Sequence, residues 1–501
     1  MQTSRSKRTR VCVPVCEKDL AALRSSCEHA TEWADLIELR LDCLKDLPED
    51  AARVLNNFSR PVILTFRPTE QGGHRDSTRA ERQAFWTTLA PQIESDWWDV
   101  EGDLVTALSL NSSRIIIVSH HDFSGVPEDL EQLYERLASM PAAVVKIAVQ
   151  ANDITDCLPV FKLLDRARNE GRELIAIAMG NAGIATRILG PSRGSFLTYG
   201  ALDDDSATAP GQVNAPKLRS LYHVDEIDHE TMICGLVGLP VMHSVSPHVH
   251  NAAFASEDIN GVYIPFEVRD AKEFFRRMVH PRSRELSWNL RGLSITAPHK
   301  QAVMECLDWI DPKAEEIGAV NTVVVDRDRL FGYNTDADGF IAPLLDRFKS
   351  LREARVAIVG AGGAARAAMY ALLKQRARVT LFARDVVKAQ PLAEFFDVSC
   401  ESISGASFDG YDFLINATPL GSGAHIDESP VTAEQLNGVW CVYDLIYNPR
   451  ETRLMREAVA VGTRTLGGLE MLVAQAKLQF ELWTGKTPSA GPIERALQNA
   501  L

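Results

Sequence analysis

The first half of the chain alternates short apolar runs with segments of helical period. No other feature restricts the fold as strongly. The runs are "RVCVPVC" from Arg10, "DLIELRLDC" from Asp35, "PVILTFR" from Pro61, "DWWDVEGD" from Asp96, "RIIIVSHHD" from Arg114, "AVVKIAV" from Ala143, "ELIAIAMG" from Glu173 and "FLTYGAL" from Phe196. Patterns such as "PEDLEQLYERLASM" and "DCLPVFKLLDRARNEG" lie between most of them. Continuous apolar runs of this length fit strands buried on both faces, and strands alternating with helices build a parallel sheet. Eight such repeats predict a (β/α)8 barrel, whose chemistry sits at the C-terminal ends of the strands. Those ends carry Glu38, Arg40, Arg67, His120, His121 and Lys146.

Lys146 stands in the middle of "PAAVVKIAVQ". Lysine is among the residues least often buried, and burial disfavours its charged form. A neutral amine can form a Schiff base with a ketone. The ordinary alternative is a lysine that snorkels its head group out of a core strand. His121 ends the preceding strand, so neighbouring parallel strands can aim both side chains into one barrel mouth. An amine with an imidazole base suits imine formation and then proton abstraction from the adjacent carbon, with the iminium as electron sink. Arg40, Arg67 and Arg187 could bind a carboxylate and disfavour the lysine's charge by repulsion. Taken singly, each arginine reads equally well as half of a surface ion pair.

These residues resemble type I 3-dehydroquinate dehydratase. The matching motifs, in order, are "ELRLD", "TFRPTEQGG", "SHHDF", "VKIAV", "MGNAGIATRILG" and "TYGALDDDSATAPGQV", covering about Arg10 to Leu221. The resemblance implies that Lys146 forms the Schiff base and that His121, rather than His120, is the general acid and base. It also implies that Glu38, Arg40, Arg67, Arg187 and Gln212 contact the substrate. Two positions depart from the family pattern. Gln71 stands just before the Gly-Gly pair, where the family has a Glu that orients and charge-tunes the histidine. Gln accepts a hydrogen bond but cannot stabilise an imidazolium by charge, so a shifted pH–rate profile is expected. Thr208 replaces a common serine and keeps the hydroxyl.

A short charged stretch without periodicity, "HVDEIDHET", puts the domain boundary near Asp228. Beyond it a smaller α/β unit precedes "RVAIVGAGGAARAAMYALLKQRARVTLFAR", a strand, glycine turn, helix and second strand. Gly360, Gly362 and Gly363 sit where a dinucleotide pyrophosphate meets a helix N-terminus, and Ala365 holds the third, packing position. An NAD site usually has an acid after the second strand to bind the ribose. Here Arg384 and Lys388 offer positive charge to a 2′-phosphate, so NADP is expected, with Asp385 as a counter-indication.

This half resembles shikimate dehydrogenase through "GLPVMHSVSPHVHN", "GLSITAPHK", "IGAVNTVV", "GYNTDADGF", "VGAGGAAR", "NATPLG", "VYDLIYNP" and "GGLEMLVAQA". The resemblance implies carboxylate binding by Ser244 and Ser246. Thr296, Asn321, Asp336, Tyr447 and Gln475 would line the substrate site, and Lys300 would be the catalytic lysine, paired with Asp336. Ala361, Ala364, Leu445 and Gly468 join the glycines as cofactor-binding positions. A lysine held by an acid can stabilise a developing alkoxide and pass a proton. The specificity loop departs from the common Asn-Arg-Thr, reading Ala383, Arg384, Asp385. The hydroxyls of Ser246 and Thr296 favour shikimate over quinate.

The whole chain resembles the bifunctional dehydratase–dehydrogenase, in which one half makes the other's substrate. The expected organisation is a barrel over 1–227, a substrate-binding α/β domain over 228–340, a Rossmann-like NADP domain over 341–470, and C-terminal helices over 471–501 that pack back on the substrate domain. Fusion fixes stoichiometry and proximity. The alternatives are a class I aldolase-like first half, quinate oxidation in the second, and a first half kept as a docking module. A net charge of −14 argues against nucleic-acid binding. No apolar run is long enough for a transmembrane helix. The basic start "MQTSRSKRTR" lacks the core of a secretory signal, and a trimmed transit peptide is its other reading. Cytoplasmic placement is expected, with a plastid as the alternative. Cys12 and Cys16 are expected as buried thiols. The histidines lack metal-ligand spacing, so no metal is implied. Oligomeric state is left open.

Overall fold

A computed structural model describes residues 9–46, 51–108 and 115–501. Residues 1–8 of the basic start, and Arg114 at the head of the fifth expected strand, lie outside the described residues. The chain divides into two compact units. The first runs to Ile233 and adds Asn260–Met278 and Ser283–Asn289; the second comprises Cys234–Ile259, Val279–Arg282 and Leu290–Leu501.

All eight apolar runs of the first half contain strands. They are β1 Val11–Val15, β2 Leu36–Arg40, β3 Val62–Thr65, β4 Trp97–Glu101, β5 Ile115–Asp122, β6 Val144–Gln150, β7 Glu173–Met179 and β8 Thr198–Tyr199. They form one sheet in the order β7-β6-β5-β4-β3-β2-β1-β8. A parallel bridge from Leu174 to Ser195, and the bond from the Phe196 N–H to the Leu174 carbonyl at 2.8 Å, bring the chain entering β8 against β7. The sheet thereby nearly closes into the expected barrel. Every residue of β1 and β2 is buried, Glu38 and Arg40 of β2 included. Inside, Cys12, Leu36, Ile63, Ile117, Val144, Ile175 and Leu197 belong to one apolar cluster. Glu38, Asp99 and Lys146 are buried charges within the strands themselves.

Cys16 departs from expectation. It is bonded to Cys43, 27 residues away, and both are half-buried. The parallel register pairs Val15 with Leu39, which brings the segments following β1 and β2 side by side. Sequence spacing does not display such a neighbour. Cys12 is a buried free thiol.

A second sheet comprises β9 Met232–Gly238, β10 Gly261–Glu267, β11 Leu290–Ile295, β12 Trp309–Ile310, β13 Thr322–Asp326 and β14 Arg329–Tyr333, in the order β10-β9-β11-β13-β14-β12. The third comprises β15 Arg355–Val359, β16 Arg378–Ala383, β17 Ser399–Ser402, β18 Phe413–Asn416, β19 Cys441–Asp444 and β20 Arg464–Gly467. Its order is β17-β16-β15-β18-β19-β20 and every pairing is parallel. This is the doubly wound arrangement, with its nucleotide crevice where the order reverses, between β15 and β18. The helix Leu469–Thr484 lies along β11 and β13, with Trp483 Nε1 donating to the Val323 carbonyl at 3.1 Å.

Candidate active sites

The barrel strands and the segments that follow them bring eight expected residues to one cavity: Glu38, Arg40, Arg67, His121, Lys146, Arg187, Thr208 and Gln212. His120 does not line it. The strand register pairs Thr65 with Asp99 and, two residues further along β4 and β5, Glu101 with Ser119 and Ser119 with Lys146. Lys146, 5% exposed, donates to Asp99 Oδ2 at 2.7 Å and to the Tyr199 hydroxyl at 2.9 Å. Glu38 Oε1 stands 3.5 Å from the amine and accepts from Thr65 Oγ1 at 2.6 Å. The arginines were expected to disfavour the lysine's charge, yet two carboxylates stand closest to it. Arg67 Nη2 also meets Asp99 Oδ2, at 2.8 Å. Burial alone would raise the Asp99 pKa, but Arg67 and Lys146 hold it well below the carboxylate range. Beyond it, Glu101 bonds Arg82 and is pushed by burial to about 7.

His121 Nδ1 lies 2.8 Å from Arg67 Nη1. A guanidinium only donates, so Nδ1 is the acceptor and the neutral ring carries its proton on Nε2. Burial, then Arg67 and Lys146, push the His121 pKa well below its usual value. Gln71 hydrogen-bonds the main chain rather than the ring; its Oε1 accepts from the His121 backbone N–H at 3.1 Å. The residue expected to orient the imidazole therefore orients the main chain instead. The ring acts as a base only once Nδ1 is released or the ring is turned.

The charges in this mouth nearly balance, with one exception. Arg40 is bidentate to Asp42 at 2.9 and 2.8 Å. Arg187, 1% exposed, has no carboxylate partner among the described residues; it donates to the Pro210 carbonyl at 3.2 Å, and its Nε has no partner. Burial lowers its pKa to about 10. A buried cation without an acid is costly, and an anionic ligand would relieve that cost. Thr208 reaches the site through Gln212, whose Oε1 accepts from the Thr208 N–H at 2.8 Å.

In the second unit, a cavity of about 560 Å³ is lined by Ser244, Ser246, Thr296, Lys300, Asn321, Asp336, Ala364, Leu445, Tyr447, Gly468 and Gln475. Lys300 Nζ contacts Asp336 Oδ2 at 2.5 Å, and Asn321 Nδ2 holds the other oxygen at 2.8 Å. Asn321 is in turn fixed by the Thr335 N–H, donating to its Oδ1 at 2.8 Å. Part of its work is thus to aim Asp336. Ser244 Oγ accepts from the Ser246 N–H at 3.1 Å and bonds the Ser246 hydroxyl at 3.0 Å. Burial raises the Tyr447 pKa, while its hydrogen bond with Ser244 acts the other way.

Gly360, Ala361, Gly362, Gly363, Arg384 and Lys388 do not line this cavity but follow β15 and β16. Gly360 has φ +107°, and Gly362 caps the helix Gly363–Lys374. A Cβ added at Gly362 would meet nothing within 4 Å, so the turn leaves room for a pyrophosphate. A Cβ on Gly363 would lie 2.9 Å from Lys300 Cδ. Asp385 is engaged as an N-cap, accepting from the Lys388 N–H at 3.1 Å, and Arg384 is exposed without an acid partner among the described residues. These residues fit a phosphorylated dinucleotide.

Reasoning from the sequence missed Asp99, Glu101, Tyr199 and Asp42 in the first site, and Ser294 and Gln479 in the second. Ser294 Oγ donates to Gln479 Oε1 at 2.7 Å. The available signal was the period-two placement of Asp99 and Glu101 in "DWWDVEGD".

Fold and side chains together define a buried-lysine barrel carried in one chain with a dinucleotide-type dehydrogenase. Family models match in that order: type I 3-dehydroquinase over residues 11–229, the shikimate dehydrogenase substrate binding domain over 236–323, shikimate/quinate 5-dehydrogenase over 344–421, and the shikimate 5′-dehydrogenase C-terminal domain over 468–498. The chain is 35% identical to the chloroplastic bifunctional 3-dehydroquinate dehydratase/shikimate dehydrogenase of Arabidopsis thaliana, over 95% of this chain and 82% of that protein. It belongs to the bifunctional 3-dehydroquinate dehydratase/shikimate dehydrogenase family. The second half is 38% identical to shikimate dehydrogenase (NADP(+)) of Carboxydothermus hydrogenoformans, over 54% of this chain and 98% of that one. A crystal structure of a shikimate dehydrogenase in complex with NADP+ is 38% identical, with TM-score 0.51, over 55% of this chain and 96% of the other.

Proposed function

We propose that the chain dehydrates 3-dehydroquinate to 3-dehydroshikimate in the barrel and reduces that product to shikimate with NADPH in the second unit. The observation that carries the first step is Lys146 Nζ, buried between Asp99 and Tyr199 at one mouth with His121 and the unpaired Arg187. Arg187 takes the substrate carboxylate. Lys146 adds to the ketone, and loss of water gives an iminium. His121 removes a proton from the adjacent carbon and the iminium accepts the electron pair; the resulting enamine expels the hydroxyl on the next carbon, which takes the proton from His121 and leaves as water. Hydrolysis then frees Lys146. Glu38, Arg40, Arg67, Thr208 and Gln212 bind and orient the ring.

In the second unit the serine pair Ser244 and Ser246 binds the carboxylate, and Thr296, Asn321, Tyr447 and Gln475 position the hydroxyls. NADPH, when bound, supplies the hydride. Gly360, Ala361, Gly362, Gly363 and Ala364 hold it at the helix N-terminus, with Leu445 and Gly468 beside it. Arg384 and Lys388 meet its 2′-phosphate. Lys300 stabilises the developing alkoxide and passes it a proton, while Asp336 fixes the ammonium. The domains follow the boundaries 1–227, 228–340, 341–470 and 471–501.

Among the described residues no helix is long and apolar enough to cross a membrane. The free buried thiols Cys12 and Cys27 fit a reducing compartment such as the cytoplasm, whereas the Cys16–Cys43 disulfide counts against one.

Borohydride added during turnover of 3-dehydroquinate tests the first step. The expected result is a stable adduct on the Lys146 peptide and none on Lys146→Ala; an unmodified Lys146 would exclude the imine.

A further inference from the structure

We infer that Cys16 and Cys43 form a thiol–disulfide exchange site whose state sets how tightly the barrel mouth grips its substrate. The inference rests on reading that mouth as the dehydratase site. Neither sulfur takes part in the chemistry above. Each contributes one donor atom, with His74, to a trio lying within 4.8 Å of one another. The trio stands on the wall of a cavity of about 1170 Å³. Because the sulfurs are bonded to each other, neither is a thiolate ready to ligate a metal. The trio is a redox couple with an imidazole at its side. The cavity admits a small dithiol or the reactive loop of a dithiol oxidoreductase, and a neighbouring imidazole can hydrogen-bond a departing thiol.

The link to function is one residue long. Asp42 precedes Cys43, is 1% exposed, and holds Arg40 by two hydrogen bonds at 2.9 and 2.8 Å. Its carboxylate also accepts from the His74 N–H at 3.1 Å. Arg40 lines the same cavity as Lys146. The disulfide ties the turn Leu41–Cys43 to the segment after β1. Opening it removes that anchor and loosens Arg40, so substrate affinity falls while the chemistry at Lys146 does not change.

The exchange balances. A thiolate of the dithiol attacks one sulfur, the Cys16–Cys43 bond breaks, and a mixed disulfide forms. The departing cysteine thiolate takes a proton. The reductant's second thiol then attacks the mixed disulfide, frees the other cysteine, and leaves the reductant as its own disulfide. Two electrons pass to the protein, and two protons end on its sulfurs.

The full chain is equilibrated with reduced dithiothreitol or with oxidised glutathione. Alkylation and mass spectrometry then report Cys16 and Cys43. Dehydratase kinetics are measured in both states, with NADPH oxidation on added 3-dehydroshikimate as an internal control for folding. Reduction is expected to raise KM for 3-dehydroquinate roughly fivefold, with kcat and the control rate unchanged. The double variant Cys16→Ser/Cys43→Ser is expected to keep the higher KM under both conditions. Equal KM values with the bond shown open and closed would overturn the inference. So would a pair that alkylates fully after oxidised glutathione. Absence of dehydratase turnover in both states would fall on the functional reading and take this inference with it.

Discussion

Arg187 is buried without an acid partner among the described residues, and burial has already lowered its pKa to about 10. A group of that kind costs the free protein stability and returns it when an anion binds. Arg187→Met should therefore raise the melting temperature of the ligand-free protein while raising KM for 3-dehydroquinate by roughly a hundredfold. A variant that loses stability would show that Arg187 has a partner in the fold. His121 supplies a second prediction. Its pKa is depressed, so the neutral ring persists as pH falls and is lost only on passing through the lowered value. The acid limb of dehydratase kcat/KM should lie below the ordinary histidine value of about 6.5. Gln71→Glu adds a negative charge that favours the imidazolium, so it should move that limb upward. A limb at or above about 6.5 in the parent protein, or one that Gln71→Glu leaves in place, would contradict the role given to burial and to Gln71.

Elements carried more of their information in the sequence than their neighbours did. The barrel strands were legible because both faces are buried and the runs are apolar but for single charges such as Glu38 and Lys146. The glycine turn was legible because its neighbours, an apolar strand and a helix, are local. Asp99 and Glu101 were not, because which neighbour they meet depends on the register of β4 against β3 and β5. Cys16 and Cys43 were hidden for the same reason: their contact is made across adjacent parallel strands. Gly363 shows an element doing two things, opening the helix and leaving space for the stem of Lys300. Gly363→Ala should hold or raise thermal stability, since alanine favours a helix by about 1 kcal/mol. It should also lower the rate of 3-dehydroshikimate reduction by roughly tenfold, because Lys300 must shift. Normal turnover would show that Lys300 is not constrained there.

At the scale of the whole molecule, the family assignment and the two sites converge on one claim: the product of the barrel is the substrate of the second unit. The first unit brings Lys146, His121 and Arg187 to one mouth, and the second brings Lys300 and Asp336 to another. The most direct measurement is NADPH consumption when the purified chain receives 3-dehydroquinate alone. Steady oxidation, abolished by Lys146→Ala and restored to that variant by added 3-dehydroshikimate, is the expected result. No oxidation from 3-dehydroquinate, with 3-dehydroshikimate reduced at full rate, would contradict the account of the barrel.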